Sequence, residues 1–169
     1  MDTSDEQART KERGIEMKRV LIAYLSKTGT TETMAQYIAE GVRIGGHAAD
    51  LKKVSDIKSE KDLLGYDAYI FGCPTYFLDM PESFVKFLGI AGKASLEGKI
   101  GGAFSSRAHP SSGEGIGPAK SIFQTMESQF RMRMTNLGPF DLQGGLTEHE
   151  HDMHTCQDYG KAVAAMLGA

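Results

Sequence analysis

Cysteine is scarce in this chain: Cys73 and Cys156 are its only two, far apart and in neither a CxxC nor a metal-type spacing. A disulfide framework is thereby excluded, and a reducing, cytoplasmic setting is expected. A dominant charge is also missing. Lys and Arg number 19 against 22 Asp and Glu, for a net charge of −3, and no strongly basic stretch stands out. That balance sets nucleic-acid binding aside and suits, weakly, partners with basic docking patches. No apolar run approaches the roughly 20 residues that a membrane span needs, and the N-terminal MDTSDEQARTKERGIEMKR has no apolar signal core. Nor is there an internal repeat or a Pro/Ser-rich linker. Neither GxxxxGK[ST] nor GxGxxG follows the first apolar run, which disfavours nucleoside triphosphates and dinucleotides. No Ser/His/Asp or Cys/His arrangement suggests a nucleophile.

What is present fits one domain. With 169 residues, 40% hydrophobic and 24% charged, the chain can bury a real core. Residues 1–17 read as a disordered extension and 18–169 as the domain. Residues 19–25 (RVLIAYL) form a continuous apolar run of the kind found in fully buried parallel strands. Helical spacing follows over 31–44 through Met34, Ile38 and Val42, and Gly45-Gly46 stops it. Residues 47–54 alternate as a strand, and 56–64 read as a short helix. A second buried strand, 67–73, ends at Pro74. Pro81 suits the first turn of a helix carrying Phe84, Val85, Phe87 and Leu88. A small-residue strand at 99–105, an amphipathic helix at 116–134, a strand at 135–142 and a helix at 156–167 complete the chain. Strands alternating with helices predict a doubly wound α/β fold, five parallel strands with helices on both faces. Ligands bind such folds at the carboxyl ends of the strands. The loops of interest are therefore 26–31, 74–80 and 105–115.

The first of these, Ser26-Lys27-Thr28-Gly29-Thr30-Thr31, joins a buried strand directly to a helix. Helix N-termini present free N–H groups and partial positive charge, which favour a phosphate. The hydroxyls add adjustable donors, and Gly29 lets the backbone approach an anion. Helix capping accounts for one hydroxyl, but not for four around a glycine. The strand, Ser-x-Thr-Gly-x-Thr, helix arrangement resembles the phosphate loop of flavodoxins and related FMN-dependent quinone reductases, over about residues 19–167. The resemblance implies a sheet of order 2-1-3-4-5, FMN as cofactor, and Ser26, Thr28, Gly29, Thr30 and Thr31 as its phosphate ligands. Lys27 either pairs with the phosphate or faces solvent.

The second loop, Pro74-Thr75-Tyr76-Phe77, resembles the Pro-Thr-x-Phe loop of the quinone-reductase branch more than the Trp-bearing loop of many flavodoxins. Tyr76 and Phe77 are candidates for an aromatic wall against the flavin ring, where stacking contributes on the order of 1 kcal/mol; alternatively they cover the sheet edge. Many flavodoxins place glycine where this chain has Leu78-Asp79, and a non-glycine residue resists positive φ. Strong stabilisation of a one-electron-reduced flavin is accordingly not expected. The third loop, with Ser105, Ser106, Arg107, His109 and Gly113, is long and rich in Gly and Ser, as functional loops are. The resemblance implies that it covers the other flavin face, with Arg107 or His109 near N1 or O2; both are otherwise solvated loop residues.

Glu148, His149, Glu150, His151, Asp152 and His154 have metal-ligand side chains but are adjacent rather than spaced to converge, so a polar loop and helix start is the preferred reading. Cys73, Cys156, Met126, Met132 and Met134 read as packing. The resemblance implies an electron-transfer flavoprotein working between redox partner proteins, monomeric or homodimeric. An NAD(P)H:quinone oxidoreductase is the alternative, for which the chain is short. A cofactor-free partner-binding module is a third reading, disfavoured by the hydroxyl loop.

Overall fold

The structure, a computed structural model, describes residues 16–27, 29–75, 80–107, 117–143 and 150–168. Strand β1, Arg19–Tyr24, is buried from its second residue onward. Its alternation splits the core. Leu21 and Ala23 face one layer, while Val20, Ile22 and Tyr24 face the other, because successive strand side chains point to opposite faces. Helices α1 (Thr30–Ile44) and α4 (Glu150–Leu167) pack on the second face through Met34, Ile38, Val42, Cys156, Tyr159 and Val163. Helices α2 (Glu82–Ala91) and α3 (Pro118–Ser128) cover the first through Phe84, Phe87, Ile122 and Met126. Between them lie β2 (Ala48–Lys53), β3 (Ala68–Pro74), β4 (Ile100–Arg107), β5 (Arg133–Met134) and β6 (Phe140–Gln143). The order is β2-β1-β3-β4-β5, with β6 also paired to β4, and every pairing is parallel. The doubly wound sheet expected from the sequence is thus present, with a sixth strand added. Among the described residues no helix is long and apolar enough to cross a membrane.

Helices α1 and α4 approach at backbone contact. A Cβ on Gly41 would run into the Gln157 carbonyl, and one on Gly160 into the Ile38 carbonyl. Those two glycines let the helices seal one side of the sheet.

Four expectations need correction. Residues 56–64 are not a helix but two 3-10 turns, Val54–Asp56 and Glu60–Leu63. The Asp62 carboxylate accepts the N–H groups of Lys58 and Ser59, at 2.8 and 3.2 Å, and so competes with helical pairing. The helix expected over 116–134 ends at Ser128, and Arg131 with φ 54° then reverses the chain. Met132 and Met134 turn back to fill the space beside Gly101. The last strand, expected over 135–142, is broken into β5 and β6 by a turn in which Gly138 N–H bonds Thr135 O at 3.2 Å. Finally, Ser105, Ser106 and Arg107 belong to β4 itself rather than to the loop after it.

Candidate active site at the carboxyl edge of the sheet

The ends of β1, β3, β4 and β6 meet at one edge. After β1 the chain turns through Gly29, whose φ of 92° is left-handed and suits a residue without a Cβ. Gly29 has no side chain with which to cap α1. Ser26 does so instead: its Oγ accepts the N–H of Gly29 at 3.1 Å and of Glu32 at 3.3 Å. Thr33 donates its hydroxyl back to Gly29 O at 2.9 Å. Capping thus accounts for Ser26. It leaves the N–H groups of Thr30 and Thr31 with no acceptor among the described residues, and a helix start in that state attracts an anion. Thr31 is buried, and its hydroxyl lies 3.0 Å from the Ser106 hydroxyl, tying the first loop to the end of β4. Lys27 is exposed.

Beside this loop, between the ends of β1 and β2, is a cleft of about 190 Å³ lined by Tyr24, Ser26, Lys27, Glu32 and Lys53 among others. It is smaller than a cofactor-sized pocket of roughly 300 Å³ or more. Tyr24 donates its hydroxyl to the Glu32 carboxylate at 2.8 Å. Burial and that carboxylate push the Tyr24 phenol up to about 12, so it stays a donor at neutral pH.

The other half of the edge is built by β3, β4, β6 and the start of α3. Pro74 pairs with Ser106 across the ladder, and Thr75 N–H bonds Ser106 O at 2.8 Å. The Thr75 hydroxyl is buried without a hydrogen-bond partner among the described residues, a state that costs about 1–3 kcal/mol unless a ligand or water meets it. Gly117, at φ 66°, carries the chain past it. A Cβ there would sit 3.0 Å from Thr75 Oγ1 and 3.3 Å from the Arg107 guanidinium, so the glycine keeps this corner open. Pro118 then opens α3.

Arg107 is not a solvated loop residue. Its side chain is 2% exposed and its Nε lies 3.0 Å from Asp141 Oδ2, the Asp141 side chain being 6% exposed. Ser105 donates its hydroxyl to Asp141 Oδ1 at 2.7 Å and accepts the Ala119 N–H at 3.3 Å. Burial raises the Asp141 carboxyl above the ordinary range, against the opposing pull of Ser105 and Arg107. Asp141 is the residue that sequence reasoning missed. Its one signal is a carboxylate between two large apolar residues, Phe140 and Leu142.

The structure therefore brings Ser26, Lys27, Gly29, Thr30, Thr31, Pro74, Thr75, Ser105, Ser106 and Arg107 to one edge. Thr28, Tyr76, Phe77, His109 and Gly113 lie outside the described residues, as do Leu78, Asp79, Glu148 and His149. No group of three or more metal-ligand side chains gathers among the described residues. Cys73 and Cys156 are both buried, as the packing reading expects.

Comparison with known proteins bears on the family and the fold. The flavodoxin family profile matches residues 22–155. A protein named NAD(P)H dehydrogenase (quinone) from Acidovorax ebreus is 32% identical, over 79% of this chain and 77% of its own. One of the same name from Gluconacetobacter diazotrophicus is 33% identical, over 76% and 74%. A flavodoxin from the domain Archaea superimposes with a TM-score of 0.78 at 22% identity, covering 89% of this chain and 99% of its own. The two-electron reduced flavodoxin of Megasphaera elsdenii gives 0.69 at 26% identity, covering 86% and 98%. The chain belongs to the flavodoxin family, whose cofactor is FMN.

Proposed function

We propose that the protein holds FMN at the carboxyl edge of β1, β3 and β4 and passes electrons through it between redox partner proteins in the cytoplasm. The observation that carries the reading is the start of α1. There the N–H groups of Thr30 and Thr31 have no acceptor among the described residues, beside a hydroxyl pair that joins the loop to β4. In this reading Ser26, Thr28, Gly29, Thr30 and Thr31 hold the phosphate. Lys27 adds charge from the exposed side. The Thr75 hydroxyl, orphaned among the described residues, turns to the cofactor. Pro74, Tyr76 and Phe77 wall the ring on one side, and Ser105, Ser106, Arg107, His109 and Gly113 support the other. Bound FMN supplies the redox chemistry; the protein binds it, orients it and excludes water from its buried face.

A second reading has one specific observation behind it. The relatives named NAD(P)H dehydrogenase (quinone) reach 32–33% identity over about three quarters of their length, and residues 74–77 carry Pro-Thr-Tyr-Phe. In that reading NAD(P)H and a quinone replace the protein partners. Titration of apo-protein with FMN decides whether the cofactor binds. Steady-state oxidation of NADH or NADPH with a quinone then separates enzyme from carrier, since a carrier shows no turnover without an added reductase. Thr28→Ala with Thr30→Ala should weaken FMN affinity at least tenfold; unchanged affinity would show that the phosphate lies elsewhere.

A further inference from the structure

We propose that Tyr24 is a positioning residue for the phosphate site: its hydroxyl holds the Glu32 carboxylate back from the start of α1, and so keeps the protein from filling its own anion site. The inference rests on the FMN reading above, and neither residue belongs to the three expected loops. Thr30 and Thr31 are the first two residues of α1, and Glu32 is the third. A glutamate at that position ordinarily reaches back over its own helix start, where free N–H groups and the positive end of the helix dipole receive its carboxylate. Two contacts divert it here. Ser26 Oγ already accepts the Gly29 N–H, at 3.1 Å, the donor that a third-position glutamate usually takes. The carboxylate turns instead to Tyr24, whose hydroxyl donates to Glu32 Oε1 at 2.8 Å. The N–H groups of Thr30 and Thr31 have no acceptor among the described residues, so the helix start is left to an anion from outside.

Tyr24 is well placed for this role. It is the last residue of β1, paired with Lys53 on one side and Gly72 on the other, and it is buried. The sheet, not the loop, therefore fixes its ring. The cleft beside Tyr24 and Glu32 is lined also by Lys27 and Lys53, cations that suit a negative charge drawn away from the helix start. Without the hydroxyl, the carboxylate is released to swing back. There it competes with a phosphate for the same N–H groups and repels its charge. Riboflavin, which is FMN without the phosphate, feels neither effect. The quantity that Tyr24 controls is thus the preference for FMN over riboflavin, read as the ratio of their dissociation constants.

The experiment measures both dissociation constants on apo-protein by quenching of flavin fluorescence. Tyr24→Phe should lower the preference for FMN by about fivefold or more, with riboflavin affinity within roughly twofold of wild type. Tyr24→Phe/Glu32→Ala removes the competing carboxylate and should bring the preference back to wild type or above. Glu32→Ala alone should leave it at or above wild type. A merely structural role for the Tyr24–Glu32 bond would make Glu32→Ala as damaging as Tyr24→Phe, and would weaken both flavins alike. A Tyr24→Phe preference within about twofold of wild type overturns the inference, as does a loss that the double variant fails to restore. Should Tyr24→Phe not fold, Glu32→Asp is read in its place. Its side chain is one methylene shorter, its carboxylate loses the hydroxyl, and the preference should fall likewise; an unchanged preference refutes the proposal. Wild-type protein that binds no FMN, or binds it no better than riboflavin, overturns the phosphate reading and this inference together. A clear wild-type preference that Tyr24→Phe leaves unmoved overturns this inference alone.

Discussion

The helix crossing at Gly160 allows a sharp test of the fold, because one substitution type should have opposite signs at two sites. In Gly160→Ala the new Cβ meets the Ile38 carbonyl and lies 2.9 Å from Val42 N, all of it backbone of α1. No side chain can rotate away, so the helices must part. Overpacking of this kind costs about 1–3 kcal/mol, and more where the backbone has to yield. Parting α4 from α1 also loosens Ile38, Val42, Cys156 and Val163, all fully buried. Against this, Ala is a better helix former than Gly by roughly 0.8–1 kcal/mol. Because the obstruction is all backbone, the upper end of that cost applies, and the net expectation is a loss of ~2 kcal/mol. For a domain of this size that is a fall in Tm of roughly 4–8 °C, at about 2–4 °C per kcal/mol. In Gly89→Ala, on the exposed side of α2, the added Cβ meets nothing within 4 Å. Only the helix-propensity gain remains, and stability should rise by ~0.5–1 kcal/mol. Urea unfolding with an unchanged m-value measures both. If Gly160→Ala lies within 0.5 kcal/mol of wild type, or both variants shift alike, the close crossing is not as described.

Two further outcomes follow from buried titratable groups. His47 is buried, and its Nδ1 accepts the Lys18 N–H at 2.9 Å; burial and the Lys18 charge hold its imidazolium form below the ordinary histidine range. The unfolded chain therefore binds a proton near pH 6.5 that the folded protein refuses. The stability His47 contributes is full above that pH and is lost as pH falls through the window down to the folded value, with a slope of at most ~1.4 kcal/mol per pH unit. Subtracting the urea-unfolding profile of His47→Gln from that of wild type between pH 5 and 8 isolates this effect, and a flat difference would contradict it. Cys156 is fully buried, and burial with the Asp152 charge pushes its thiol up to about 12. Iodoacetamide should leave it unmodified in native protein at pH 8 and alkylate it readily in urea, as peptide mass mapping would show.

Elements whose local signal matches their tertiary role were legible in the sequence. The runs that became β1 and β3 are buried on both faces, so unbroken apolar character is what their environment selects. The loop at 26–31 could be read from its hydroxyls and its glycine, since a helix start needs little beyond local geometry. The third helix was drawn too long because Met132 and Met134 continue an apolar pattern. Nothing in that pattern reveals that Arg131 takes a positive φ and sends them into the space beside Gly101. Asp141 was illegible for another reason. Its partners, Ser105 and Arg107, are reached only across a strand pairing, and the register Ser105↔Asp141 depends on how the edge strand is interrupted.

That interruption explains why Tyr159 is where it is. Strand β4 advances from Gly101 to Phe104 while the edge chain runs from Met134 to Phe140, so the surplus residues loop out and leave Ala103 without a ladder partner on that side. A buried N–H and C=O cannot stay unpaired without cost. The Tyr159 hydroxyl, brought in from α4, accepts the Ala103 N–H at 3.0 Å and stands 3.2 Å from its carbonyl. It also donates to Gly138 O, at 2.8 Å, inside the looped segment. Its ring stacks on Phe140 at 5.3 Å and lies against Gly102, where a Cβ would come within 3.0 Å. Burial raises its pKa, so the proton is retained across the working range. Tyr159→Phe keeps the ring and deletes the pairing. The expected loss is about 1–3 kcal/mol, the cost of leaving buried polar groups unsatisfied. The Ala103 amide should then exchange hydrogen faster than its β4 neighbours, which keep their ladder bonds. If global stability stays within 0.5 kcal/mol and Ala103 remains protected, the hydroxyl is not what closes the gap. The register of the edge strand that carries Asp141 would then rest on its ladder pairing with β4 and on the side-chain contacts of Asp141 with Arg107 and Ser105.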